Sequence, residues 1–281
     1  FVFRDLLFLC RASCYTFLTN TDLGLPQHSP PPSCPPCIGL NTEAGMSHEP
    51  YTIDELARQL GRDRREIEKL VNRGRIPGRK VSGEWLFHPT EITHWLEQEM
   101  RAFTDQQLIA VEEYQQSHEL DADIPVSTLL QPDQVQVPLE GRTKRSVLEN
   151  LIEVAGRTWQ IWEPATVLKA VQDREEVMNT ADERGIAIPH PRNPLPECLG
   201  QSIIAFGRTA SAIPFGAVNG GLTDLFILVA CRDPRTHLHI LARLGRMLRL
   251  PGFLEELRSI SDSPAAYQFI CQADEIVGRD M

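Results

Sequence analysis

Residues Leu225 to Cys231 form an unbroken run of seven apolar residues, closed by Asp224 on one side and Arg232-Asp-Pro234 on the other. A run this short falls far below the roughly 20 residues that a helix needs to cross a bilayer. It therefore reads as a core strand, and a membrane permease is excluded within this chain. Helix-like segments (Lys144 to Trp159, Glu163 to Glu175, Thr236 to Leu250, Phe253 to Ser259) alternate with strand-like ones (Gly185 to Ile188, Ser202 to Phe206, and the run itself). Such alternation argues an α/β sandwich. The 281 residues suffice for one large or two ordinary domains, and 42% hydrophobic with 23% charged residues is a globular balance. A net charge of -10 weighs against general coating of nucleic acid, although a local basic face is compatible with an acidic average.

Four of the seven cysteines, Cys10, Cys14, Cys34 and Cys37, lie in the first 45 residues, and the wide spacing of Cys198, Cys231 and Cys271 suggests no disulfide framework. Cys34-Pro-Pro-Cys37 has the spacing of a redox pair. No strand-helix unit frames it and no second pair follows at zinc-ligand spacing, so it is expected to be a chance occurrence. Prolines crowd residues 26 to 37, a composition that buries too little apolar surface to fold alone. Residues 1-48 are expected to be disordered, or a mispredicted extension ahead of an initiation site at Met46.

From residue 49 the pattern changes. Thr52-Ile-Asp-Glu55 has the capping-box form, with Ile53, Leu56, Ala57 and Leu60 at helical spacing before Gly61. Asp63 opens a second helix whose apolar face is Ile67, Leu70 and Val71, ended by Gly74. Two helices joined so closely make a helix-turn-helix. Arg75 to Val81 and Glu84 to Phe87 then flank Ser82-Gly83 as strands about a tight turn, and a third helix from about Thr90 buries Ile92, Trp95 and Leu96. This order, over residues 49-100, resembles the excisionase and MerR-type winged helix-turn-helix domains, with Ser82 where a glycine is usual. Between Arg58 and Lys80 nine lysines and arginines stand against three acids, a face suited to neutralising phosphates. Arginine forks suit guanine edges and wings follow the backbone, so Arg64 and Arg65 are the expected base-edge residues, with Lys69 on the same helix. Arg75, Arg79 and Lys80 are expected on phosphates. Residues 101-123 are polar and helix-permitting, and read as a linker that, if helical, could hold two copies of the chain together.

Three separated motifs stand out in residues 124-281. Gly185-Ile-Ala-Ile-Pro-His190 runs a short buried strand into proline and delivers a histidine to the edge of a sheet; Arg174-Glu175 lies upstream at a helix end; Thr236-His-Leu-His-Ile-Leu-Ala242 opens an amphipathic helix. A neutral imidazole is a good nucleophile for in-line phosphoryl transfer. Arg174 would hold the equatorial oxygens as a planar fork, and His237 would donate a hydrogen bond where a helix N-terminus favours an anion. His239, two positions on, points to another face. The set resembles the mannitol/fructose-type enzyme IIA domain of the bacterial sugar phosphotransferase system, and its nitrogen-regulatory branch in particular. The resemblance implies an enzyme IIA-type α/β sandwich with a mixed sheet, a phosphoryl group carried on His190, and no metal or cofactor beyond that covalent phosphohistidine. Where the family approaches its histidine through Ser-Thr-Gly-Ile-Gly-x-Gly, this chain has Asn179-Thr-Ala-Asp-Glu-Arg-Gly185, which adds Asp182 and Glu183 beside the expected anion site.

The combined expectation is a cytoplasmic bacterial regulator, a phosphohistidine carrier rather than a turnover enzyme. It would take its phosphate from a histidine phosphocarrier protein (HPr or a nitrogen-branch homologue) and act on transcription by binding DNA. Regulated protein targets and a second copy of the chain complete the expected partners, with no membrane among them. Two readings compete: a DNA- and partner-binding regulator that keeps the IIA fold without being phosphorylated, and a sugar-uptake component.

Overall fold

Short-range sequence signals start and stop the elements of the N-terminal part. The structure, a computed structural model, describes residues 49–116 and 124–279; the expectations for residues 1-48, including Cys34 and Cys37, lie outside the described residues. Thr52 accepts the Glu55 amide on its hydroxyl while the Glu55 carboxylate accepts the Thr52 amide at 2.7 Å, and this capping box starts α1 (Ile53–Gln59). Gly61 ends it at φ +57°, and a Cβ there would stand 2.5 Å from that of Ala110, so both its backbone and its missing side chain are required. Asp63 caps α2 (Arg64–Asn72) by accepting the Arg65 amide at 2.7 Å. Strands β1 (Tyr51–Thr52), β2 (Arg79–Val81) and β3 (Glu84–Phe87) form an antiparallel sheet in the order β1-β3-β2. The wing turns through Ser82 and Gly83, both at positive φ, as tight hairpins favour. Helix α3 (Pro89–Glu99) continues through the 3-10 turn Met100–Ala102 toward α4 (Asp105–Gln116).

The C-terminal part comprises α5 (Val126–Leu129), β4 (Leu130–Leu139), α6 (Lys144–Gly156), α7 (Pro164–Val177), β5 (Ile186–Ala187), β6 (Ile203–Pro214), β7 (Leu222–Ala230), α8 (Pro234–Met247), α9 (Phe253–Ser259) and α10 (Ser263–Arg279). Its sheet runs β4-β6-β7-β5, with β4 parallel to β6, β6 antiparallel to β7, and β5 parallel to β7. This is the mixed sheet of the expected α/β sandwich. Neither β4 nor α10 belongs to the expected alternation. β4 carries Pro132 and Pro138, which an edge position tolerates and a central one does not. No helix among the described residues is long and apolar enough to cross a membrane.

Side chains alternate along β7, so its apolar run is buried on both faces. Leu225, Ile227 and Val229 join a core with Leu238, Leu241 and Leu244 of α8, while Phe226, Leu228 and Ala230 join another with Leu151 of α6 and Val167 of α7. The first core does not end at the sheet's own helices. It continues without a break through Leu108, Phe103 and Met100 to Leu96, Ile92, Phe87 and Leu56. The segment expected as a linker thus holds α4, whose Leu108, Val111, Glu112 and Gln115 are buried. Its inner face lies on α8 of the same chain, where a Cβ on Gly245 would meet Leu108 at 3.2 Å. It is not left over for a second copy.

Packing α4 and α10 against α8 encloses Arg243 and Arg246, and buried guanidiniums must be paired. Arg246 donates to the Glu112 carboxylate and to the Val277 carbonyl, each at 2.6 Å. Arg243 lies 3.5 Å from the same carboxylate and pairs with Asp274, which also accepts the Ser127 amide at 3.1 Å. Burial pushes the Glu112 carboxyl up even with these cations beside it. Glu112→Ala deprives Arg246 of its carboxylate and is expected to lower the unfolding free energy by about 3–5 kcal/mol in chemical denaturation. A loss below about 1 kcal/mol would mean that α4 is not fixed in this way.

Candidate functional site

His190 lies three residues beyond the end of β5. The Val229 amide donates to the Pro189 carbonyl at 3.0 Å, so the chain still lies beside β7 when it delivers the histidine. His190 Nδ1 stands 2.8 Å from the Ile188 carbonyl. A carbonyl only accepts, so Nδ1 carries a proton and the neutral ring keeps its lone pair on Nε2. Burial holds this imidazole below its ordinary range, which favours the neutral form. Nε2 itself is buried and makes no hydrogen bond.

Two further expected residues converge on it. Asp233 caps α8 by accepting the Thr236 amide at 2.8 Å, and the first turn so fixed brings the His237 ring to 5.1 Å from that of His190, centroid to centroid. Arg174, in the last turn of α7, is buried and donates to the Met178 carbonyl at 2.8 Å. Its neighbour Glu175 accepts the Thr180 amide at 3.2 Å, pairs with Lys144 at 2.9 Å and so fastens the following loop to α6 and α7. Asp182 accepts from the Arg184 amide and guanidinium, both at 2.8 Å. The carboxylate expected to crowd the anion site is thereby neutralised within its own turn, and Glu183 is exposed. His239 donates to the Ile124 carbonyl at 3.0 Å on another face of α8.

The fourth member of the cluster comes from the winged-helix part and went unforeseen. Glu97, in α3, has a side chain only 2% exposed. His237 Nε2 donates to its Oε1 at 3.0 Å, while Oε2 lies 3.5 Å from His190 Nε2 and 3.7 Å from the Arg174 guanidinium. Burial alone would raise this carboxyl, but the two histidines beside it, as donors in their protonated forms, outweigh that and hold Glu97 below the usual carboxylate range. His94 donates to the Arg192 carbonyl at 3.1 Å and Arg101 to the Thr180 carbonyl at 3.0 Å. His94, Glu97 and Arg101 follow one another at i, i+3 and i+7, one face of a helical segment. That stripe is the only trace of the contact in the sequence, and it says nothing of its partners. Glu97, His190 and His237 offer three atoms within 4.8 Å of one another, a donor set that a divalent cation accepts. The Arg174 guanidinium, 3.7 Å from the same carboxylate, places a positive charge beside those atoms. A cleft of about 490 Å³ opens next to it, lined by Arg101, Arg174, Arg249 and His190 among others.

The expected DNA-facing residues gather elsewhere, on α2 and the wing. Arg64 is engaged by Asp54 at 2.6 and 2.8 Å and by Glu68 at 3.1 Å, so reading a base would require it to leave them. Arg79 lies 3.5 Å from Glu91. Arg65, Lys69, Arg75 and Lys80 are exposed.

Residues 128–273, just over half of the chain, match the family model described as "Phosphoenolpyruvate-dependent sugar phosphotransferase system, EIIA 2". The chain belongs to the EIIA 2 family. Residues 50–100 match a helix-turn-helix domain model. A nitrogen regulatory protein of Bradyrhizobium diazoefficiens is 31% identical over 150 residues, 52% of this chain and 95% of that protein. One from Escherichia coli is 26% identical over 156 residues, 55% of this chain and 94% of that protein. Among solved structures, the nitrogen regulatory protein IIA-Ntr of Neisseria meningitidis aligns with a TM-score of 0.47 at 20% identity, covering 52% of this chain and 98% of that one.

Burial of the EIIA 2 histidine has a measurable outcome. The His190 ring, followed by NMR and assigned through His190→Gln, is expected to titrate below about 6.5, the midpoint of a free imidazole. The folded state then holds the proton less tightly than the unfolded chain, so this group's contribution to stability is present above about pH 6.5 and lost as the pH falls toward the folded midpoint. A midpoint above 6.5 would contradict a neutral resting ring.

Proposed function

We propose that the EIIA 2 domain accepts a phosphoryl group on Nε2 of His190 from a histidine phosphocarrier protein, and that the winged-helix domain turns that state into regulated transcription. The observation that carries the reading is the tautomer of His190. With the Nδ1 proton held by the Ile188 carbonyl, the Nε2 lone pair is available, and no proton has to leave before it attacks phosphorus. In the transfer the Nε2–P bond forms as the N–P bond of the donor's phosphohistidine breaks, and that electron pair returns to the donor imidazole. Arg174 and the His237 N–H, both turned toward the same spot, would neutralise the oxygens of the group in flight. The name carried by the relatives, nitrogen regulatory protein, supports regulation rather than sugar uptake. The exposed cations of α2 and the wing supply the phosphate contacts that DNA binding needs.

A second reading, a regulator that is never phosphorylated, draws on one observation: Nε2 is covered and a carboxylate stands beside it.

Incubation with phosphoenolpyruvate, enzyme I and the phosphocarrier protein is expected to add one phosphoryl mass to the intact wild type and none to His190→Ala, and Arg174→Ala should slow the gain about a hundredfold to a thousandfold. No gain in the wild type or in any variant would leave the second reading in front. For the DNA face, Arg65→Ala, Arg75→Ala and Lys80→Ala are each expected to weaken binding and to reduce the slope of log affinity against log salt by about one for every phosphate left without its cation. Salt slopes identical to the wild type would remove those residues from the interface.

A further inference from the structure

We propose that the winged-helix domain is an interlock on the phosphoryl acceptor: α3 seats the Glu97 carboxylate where a phosphoryl group on His190 would lie, so that docking of α3 and phosphorylation of His190 exclude one another. This rests on the carrier reading above and adds the regulation of the same site. Three observations carry it.

The first is what surrounds Glu97. A guanidinium at 3.7 Å and an imidazole N–H at 3.0 Å are groups that a phosphoryl group on His190 would need, and they already face an anion from elsewhere in the chain, whose Oε2 lies 3.5 Å from Nε2 itself. The second is access. Nε2 is buried, with the Glu97 carboxylate of α3 standing 3.5 Å from it where an incoming phosphorus would have to come. A phosphoryl group would bring up to two negative charges beside a buried carboxylate, and two anions cannot share so small a site without a large penalty.

The third is the nature of the contact. Around the site, α3 and the 3-10 turn after it meet the EIIA 2 domain through His94, Glu97 and Arg101, each by hydrogen bond or charge to Arg192, His190, His237 or Thr180. Polar contacts of this kind can be exchanged for water. α4 is held on α8 by apolar packing and the buried Glu112 pairs, and Ile92 and Leu96 of α3 join the same apolar core, so freeing the site takes a shift of α3 with α4 still anchored. The cations of α2 and the wing remain exposed with α3 docked, so the interlock gates the histidine directly. DNA enters by linkage, since any site that prefers one position of the winged helix shifts phosphorylation by the same factor that phosphorylation shifts its binding.

The test compares phosphoryl incorporation at His190 in the full chain, by intact mass over time, in the wild type, Glu97→Gln and Glu97→Ala, with the phosphorylated phosphocarrier protein as donor. Hydrogen exchange of the amides of α3 is followed in the same samples. Both variants are expected to incorporate phosphate about 5- to 150-fold faster than the wild type, and exchange in α3, but not in α10, should accelerate when the wild type is phosphorylated. Glu97→Gln keeps the shape and an acceptor for His237, so it remains informative if the alanine variant unfolds. Equal or slower incorporation in the variants overturns the interlock and leaves the carrier reading standing. No incorporation in any of the three, from a donor verified as phosphorylated, overturns the carrier reading and the interlock with it.

Discussion

A helix buried on every side must find a partner for each polar group it carries, and α8 carries Thr236, His237, His239, Arg243 and Arg246, all buried. Asp233 at its own cap serves Thr236, and the Ile124 carbonyl serves His239. The rest must come from other elements. Arg243 takes Asp274 of α10, Arg246 takes Glu112 of α4, and His237 takes Glu97 of α3. The electrostatic needs of one helix therefore draw the winged-helix part, the helix after it and the C-terminal helix onto the same side of the sheet. Glu112 and Asp274 leave both guanidiniums of α8 paired, while the Asp233 cap sets the first turn that presents His237.

The approach to His190 is held in place by different means from the glycine-rich pattern of the family. Only Gly185, at φ +81° and 3.1 Å from the Leu222 carbonyl for a Cβ, needs to be glycine. Elsewhere the loop is held by side chains: Glu175 takes the Thr180 amide, Asp182 takes the Arg184 amide and guanidinium, and the Arg184 guanidinium reaches the Leu248 carbonyl at 3.0 Å. The Asp182 charge is met within its own turn by Arg184, although Asp182 and Glu183 both line the cleft beside the site.

Much of this is legible in the order of residues alone. The apolar run of β7, the Ile-Ala-Ile-Pro-His190 approach and the caps at Thr52 and Asp63 are local signals, and each depends on neighbours within a few residues. β4 is hidden by its two prolines, whose meaning changes once the strand is known to lie at an edge. α4 is hidden because its buried face includes Glu112 and Gln115, and such residues look like surface until Arg243 and Arg246 are placed opposite. Glu97 could not be found at all from spacing, because its partners are 77, 93 and 140 positions away, at Arg174, His190 and His237.

Glu97 and His190 belong to one chain, and this fixes something that two separate proteins could not fix. A carboxylate delivered by a free partner would occupy the site in proportion to that partner's abundance. Tethered through α4, it is present at an effective concentration set by geometry alone. Dilution or overproduction of the protein changes nothing about how firmly the site is held, so its occupancy by the carboxylate is written into the sequence rather than into the copy number.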